Sequence, residues 1–187
     1  MLILASASPR RRELMEKLHM PFVCEPAAAP EVVPDGLPAA LVPEHLAAHK
    51  AEEVFQKHAA SASDPLIVIG SDTVVLCDDK ILGKPHSRDE AAAMLRLLSG
   101  RTHEVLTGVC LRSAAKTVRF TSRTEVEFYP LSETQIANYI ESGEPMDKAG
   151  AYGIQGDGAL LVKGICGDYY TVMGFPVARI ARELEAF

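Results

Sequence analysis

The sequence predicts an α/β protein built on a mixed, twisted β-sheet flanked by helices. Short aliphatic runs such as Leu2-Ile3-Leu4-Ala5 and Leu66-Ile67-Val68-Ile69-Gly70 are apolar without alternation, as strands covered on both faces are. Capped helical stretches are interspersed with them, and long β-branched segments at 105–111 and 118–128 suit antiparallel pairing. A chain of 187 residues, 48% hydrophobic and 24% charged, suits a single domain over 1–187 and excludes wholesale disorder.

From the N-terminus, residues 2–5 read as a buried strand stopped by Ser6. Ser8-Pro9 opens a helix through Leu14 and Leu18, with Ser8 as N-cap and Pro9 at the first helical position. Residues 21–25 read as a second short strand. The Ala/Pro-rich stretch 26–42, with four prolines, reads as an ordered loop or lid, and a helix follows over 43–60. The run 66–70 is a central strand ending in Ser71-Asp72-Thr73. Segments 74–76 and 81–82 then flank the polar turn Asp78-Asp79-Lys80 as a hairpin. Ser87 caps a helix through Leu98 that Gly100 closes. Ser132 and Gln135 form a capping pair for a helix over 132–142. A glycine-dense stretch (Gly150, Gly153, Gly156, Gly158), a strand at 159–162 and a helix after Pro176 complete the order.

Composition narrows the function. Lys+Arg of 19 against Asp+Glu of 25 leaves a net charge of −6, and aromatics are 6% with no Trp, which argues against a nucleic-acid coat. The four cysteines, Cys24, Cys77, Cys110 and Cys166, form no CxxC pair and read as small buried hydrophobes in a reducing compartment. No apolar stretch approaches the ~20 residues of a membrane span, and no signal-peptide pattern opens the chain. The expectation is a cytoplasmic protein without a membrane or nucleic-acid partner.

Several residues carry candidate chemistry. Ser8-Pro9-Arg10-Arg11-Arg12 places three guanidinium groups at a helix N-terminus, where natural helices favour acids. The arrangement makes sense if a multi-oxygen anion docks there, and otherwise it is a solvated basic turn. Asp72, just after an apolar strand, stands where open α/β sheets bind ligands; it can hold a divalent cation or orient a water, or merely close the strand as an Asx turn. Lys50 falls in helical phase between Leu46 and Val54, so it faces either a polar cavity or snorkels to the edge. Lys84, in Gly83-Lys84-Pro85, and Glu31, in the proline-rich loop, read by default as solvated charges. Gln155 lies among glycines that permit close backbone approach to a flat ligand, and its amide both donates and accepts, as reading a base edge requires. No Walker A, HExxH or GxSxG string is present. Together these residues supply cations for phosphates, a carboxylate for metal or water, and a polar reader for a base.

Ala5-Ser6-Ala7-Ser8-Pro9-Arg10-Arg11, Gly70-Ser71-Asp72-Thr73-Val74-Val75, Gly83-Lys84-Pro85, the stretch from Ser99 through Gly100-Arg101-Thr102-His103-Glu104 to Val109, and Asp147-Lys148-Ala149-Gly150-Ala151-Tyr152-Gly153-Ile154-Gln155-Gly156 resemble the motifs of the Maf family of nucleoside triphosphate pyrophosphatases. The resemblance covers essentially the whole chain, and the last motif is similar to the dTTP/UTP branch. It implies a Maf/ITPase-like fold of two lobes around a central cleft. It also implies cleavage between the α and β phosphates with a divalent cation (Mg²⁺ or Mn²⁺), a cytoplasmic location and a homodimer. By motif, Asp72 matches the proton acceptor. Ser6, Ser8, Arg10, Arg11, Glu31, Lys50 and Lys84 match other cleft residues, Glu31 serving the metal with Asp72. Arg10, Thr73 and Gln155 match positions tied to substrate choice. Leu161 and Thr171 depart from the family's usual Phe and Asn. A related pyrophosphatase for 7-methyl-GTP or modified nucleotides, and a non-catalytic nucleotide-binding cell-division regulator, are the alternatives. All these readings require the arginine-bearing helix start and Asp72 to lie side by side.

Overall fold

The structure, a computed structural model, describes residues 1–60 and 65–187. Among the described residues the strands are β1 (Leu2–Leu4), β2 (Val23–Cys24), β3 (Ile67–Cys77), β4 (Lys80–Leu82), β5 (Thr102–Arg112), β6 (Thr117–Phe128) and β7 (Val162–Cys166). They form one sheet of order β2-β1-β3-β5-β6-β7, with β4 on β3. β1 runs parallel to β2 and β3, whereas β3–β4 and β6–β7 are antiparallel, so the sheet is mixed as expected. The helices are α1 (Pro9–Glu16), α2 (Val42–Ala59), α3 (Arg88–Leu98), α4 (Glu133–Glu141), α5 (Tyr169–Val172) and α6 (Val177–Glu185). Among the described residues no helix is long and apolar enough to cross a membrane. The chain divides into two compact units, one of Met1–Asp72, Thr107–Ser122 and Gly174–Phe187, the other of Thr73–Leu106 and Arg123–Met173.

In the first unit, α2 lies on the sheet. Side chains alternate along a strand, so Val68, Gly70 and Asp72 share one face of β3. Val68 packs there with Ala47, Ala51 and Val54 of α2. The helix comes unusually close: a Cβ on Gly70 would stand 2.1 Å from the Ala47 carbonyl oxygen, and one on Gly108 2.2 Å from Glu44 N. Two glycines, on strands β3 and β5, therefore let the backbone of α2 settle onto the sheet.

The second unit has its own core, in which Leu95 and Leu98 of α3 and Ile136 and Ile140 of α4 pack with Val75, Val126 and Phe128 of the strands. Gly150 sits at φ +69 against Val75, a conformation and a contact that a side chain would not tolerate.

The local caps are as the sequence indicates. Ser8, Ser87 and Ser132 each accept from the backbone N–H three residues on, and Gln135 completes the capping box. Four expectations are corrected. First, the central strand does not end at Gly70: β3 continues through Ser71-Asp72-Thr73 to Cys77, so Asp72 lies within a strand and the hairpin's first arm is its extension. The polar residues do not break it because they are buried with partners, Ser71 Oγ donating to the Gly174 carbonyl (3.0 Å) and Asp72 meeting Lys50. Second, the strand expected at 159–162 lies at Val162–Cys166, because Gly156–Leu160 curl into a 3-10 turn before Val162 pairs with Phe128. Third, α1 stops at Glu16, leaving Leu18 in a turn completed by His19 at φ 54, and the strand expected at 21–25 shortens to Val23–Cys24. Fourth, Cys166 is exposed on β7 and Cys24 is only half-buried, whereas Cys77 and Cys110 are buried as expected. The sequence reading also overlooked α5, a single turn capped by the Asp168 carboxylate accepting from Thr171 N.

Candidate active site

Asp72 and Lys50 meet because of how α2 sits. Lys50 lies between Ala47 and Ala51, the residues that close on Gly70, and Asp72 is the next residue on the same face of β3. Lys50 Nζ donates to Asp72 Oδ1 at 2.6 Å and lies 2.6 Å from Glu31 Oε1. The ammonium therefore bridges two carboxylates instead of snorkelling to water. Asp72 is 8% exposed. Burial pushes its carboxyl above the usual carboxylate range, a stronger influence than the opposing pull of Lys50 and Arg11.

The start of α1 reaches the same place. Arg11 donates Nε to the Gly174 carbonyl (3.0 Å) and Nη1 to the Ser71 carbonyl (2.7 Å), one residue before Asp72. Burial lowers the affinity of this guanidinium for its proton and the Asp72 charge opposes that shift; an arginine stays cationic regardless. The requirement that the arginine-bearing helix start and Asp72 adjoin is thus met by Arg11. Ser8 N donates to Ser6 Oγ (3.1 Å) and Ser8 Oγ accepts from Arg11 N, so both serines shape the turn entering α1. Arg10 is half-buried and makes no ion pair among the described residues.

Thr73, Lys84 and Gln155 belong to the second unit. Thr73 follows Asp72 in β3 and so faces the opposite side of the sheet. Lys84 is exposed, on a turn tied down by Gly150 N donating to the Gly83 carbonyl (3.0 Å). Gln155 is half-buried at the start of the 3-10 turn Gly156–Leu160.

Three residues of this unit escaped sequence reasoning. Glu144 accepts from the Tyr139 hydroxyl (3.0 Å) and from Asp157 N (3.0 Å), while the Tyr139 oxygen accepts from Gly153 N (3.0 Å). This pair holds both ends of the loop that carries Gln155. The available signal was an acid placed just before a glycine-dense run. His103 is the third, 2% exposed, 2.8 Å from the Tyr152 hydroxyl, and edge-on to Phe128 and Tyr152. Among the described residues its Nδ1 has no partner.

Burial pulls His103 down to about 4 from an ordinary 6.5, so the folded protein keeps it neutral. The unfolded chain then binds the extra proton between those values, and stability falls as pH drops from about 6.5 to about 4. A shift of that size corresponds to ~3 kcal/mol. Urea unfolding at pH 7 and pH 4.5 is expected to show a loss that His103→Phe reduces.

For a metal, no group of three or more His, Cys, Asp or Glu gathers among the described residues. Asp72 and Glu31 nonetheless converge on one cationic nitrogen and offer hard oxygen donors. Mg²⁺-type ions in nucleotide sites use one or two carboxylates and take their other ligands from water and substrate phosphates. The pair fits such a cation.

A family model described as Maf-like protein matches residues 1–187. A protein of Bacillus cytotoxicus named dTTP/UTP pyrophosphatase is 50% identical over 185 residues, spanning 99% of this chain and 94% of its own. Proteins of the same name from Bacillus mycoides and Bacillus velezensis are 48% and 49% identical over 186 residues, spanning 100% of this chain and 95% and 96% of theirs. A solved nucleoside-triphosphatase / dITP/XTP pyrophosphatase of Mycobacterium abscessus aligns at 17% identity and a TM-score of 0.44, over 68% of this chain and 72% of that one.

Proposed function

The chain belongs to the Maf-like family, and from that premise we propose that it hydrolyses dTTP and UTP to the nucleoside monophosphate and pyrophosphate. The observation that carries the chemistry is the Lys50 ammonium set 2.6 Å from both the Asp72 and Glu31 carboxylates, with Arg11 bound one residue away. The relatives' shared name supports the choice of base.

A phosphoanhydride is ready to break, but its anionic oxygens repel a nucleophile, so catalysis is positioning and charge neutralisation. In this reading Asp72 orients a water toward the α-phosphorus and takes its proton. The water oxygen bonds to phosphorus as the bond to the bridging oxygen of the β-phosphate breaks, and pyrophosphate leaves with that electron pair. A raised carboxyl affinity for protons makes Asp72 a better base than an exposed carboxylate. Lys50 holds Asp72 in place and offsets charge at the α-phosphate, and Lys84 does so for the departing pyrophosphate. Arg10, with its own backbone N–H at the start of α1, and the charge of Arg11 favour the β and γ phosphates, with the Ser6 and Ser8 hydroxyls beside them. Asp72 and Glu31 would hold a divalent cation, Mg²⁺ or Mn²⁺, which when bound neutralises phosphate charge. Gln155 is assigned to the pyrimidine, and Thr73 with it on the motif alone, since its side chain faces away from that of Asp72. The reading also carries a homodimer acting in the cytoplasm, with residues 1–187 as one domain and no nucleic-acid partner.

The test is pyrophosphate release from canonical and modified triphosphates with Mg²⁺ and with Mn²⁺. dTTP and UTP are expected to turn over fastest, and nucleotide binding without turnover in either metal would overturn the reading. Gln155→Ala is expected to cut the kcat/KM preference for dTTP over purine triphosphates by ~10-fold or more, because an unmet hydrogen-bonding edge discriminates strongly. An unchanged preference would place base recognition elsewhere.

A further inference from the structure

The proline-rich stretch is laid along α2 as a strap. His58 meets Glu25 at 2.6 Å, Glu53 accepts from Ala28 N (2.8 Å) and Ala29 N (2.9 Å), Lys50 meets Glu31 at 2.6 Å, and His45 meets the Val32 carbonyl at 3.2 Å. Numbers rise along the strap as they fall along the helix, so the two run antiparallel. Residues 58 to 45 of a helix span ~20 Å at ~1.5 Å per residue. The seven steps from 25 to 32 reach at most ~25 Å when fully extended. The strap is therefore largely extended, with one bend at Ala29, a course that Pro26 and Pro30 favour and that leaves its N–H groups without a local ladder.

Glu53 supplies what the ladder lacks, since each of its carboxylate oxygens receives one strap N–H. Lys57 donates to it at 2.7 Å, and this bond together with those from Ala28 and Ala29 holds the carboxyl down to about 2, so it stays ionised at any working pH. The next anchor along the strap is Glu31, whose side chain is 58% exposed. A pair partly open to water contributes little toward ordering a chain segment, so backbone bonds two residues earlier add to what holds Glu31.

We propose that Glu53 is a positioning residue for the reaction, clamping Ala28 and Ala29 so that the strap delivers the Glu31 carboxylate to Lys50 beside Asp72. This rests on the role assigned to Glu31 in the proposed function. Glu53 itself touches neither substrate nor the reacting atoms.

The experiment compares Glu53→Ala, Glu31→Gln and the double variant by kcat and KM for dTTP with Mg²⁺, by melting temperature, and by amide exchange at Ala28 and Ala29. Alanine is the best helix former, so α2 is retained in the variant. Glu53→Ala is expected to lower kcat ~10-fold with KM within ~2-fold, to speed exchange at the two alanines, and to leave kcat unchanged when Glu31 is already Gln, the non-additivity of residues acting through one another. Glu53→Gln, which keeps one acceptor, should recover part of the rate. A parental kcat in Glu53→Ala beside a slow Glu31→Gln overturns the clamp and leaves the role of Glu31 standing. A parental rate in Glu31→Gln overturns that role and the clamp with it. Losses that multiply in the double variant would make Glu53 a general stabiliser and also overturn the proposal.

Discussion

Asp72→Asn is expected to lower kcat for pyrophosphate release from dTTP by ~10³-fold, within the range that positioned general bases contribute. Asparagine keeps the shape and still accepts from Lys50, but it takes no proton. Lys50 retains Glu31 as a partner, so the melting temperature should move little and the rate loss is not an unfolding effect. The pH profile of the parent gives a second check. Asp72 acts as a base only when ionised, so activity rises with pH through the limb on which its carboxyl gives up its proton. Lys50→Met removes a charge that pulls the carboxyl down, and the limb should move to higher pH. A parental rate in Asp72→Asn would end the assignment.

Gly70→Ala is expected to damage both stability and activity through a single methyl group. Its Cβ would lie 2.1 Å from the Ala47 carbonyl oxygen and 2.9 Å from Ala51 N, backbone atoms that no rotamer change can move. Only a shift of α2 off the sheet relieves the clash, at a cost of ~3 kcal/mol or more given the loss of packing it entails. Lys50 rides on that part of α2, so kcat should fall even at temperatures where the variant is fully folded. Urea unfolding and steady-state rates check the two effects. Gly164→Ala, where a Cβ meets nothing within 4 Å, serves as a neutral control.

What could be read in the sequence was local. The serine caps at Ser8, Ser87 and Ser132 bond to N–H groups three residues away, and the phase of Lys50 between Leu46 and Val54 follows from helical geometry. The family motifs named Asp72, Lys84 and Gln155 without showing what surrounds them. Sequence reasoning stopped β3 at Gly70 because Ser71-Asp72-Thr73 looks like the end of a buried strand. The partner that keeps Ser71 inside it is the carbonyl of Gly174, 103 residues on. Glu53 was overlooked for the same reason: it is an ordinary acid until the chain brings it the backbone N–H groups of Ala28 and Ala29.

The amino-acid order alone thus determined the α/β class, the capped helices and the residue types of a nucleotide-handling chemistry, because propensity, period and capping act over a few residues. The tertiary structure decided that Asp72 sits inside a strand and that one ammonium bridges it to Glu31. It also decided that α2 rests on Gly70 and Gly108 closely enough to bring these groups together. Whether a polar group can be buried depends on a partner that sequence distance does not reveal, and that partner exists only once the chain has folded.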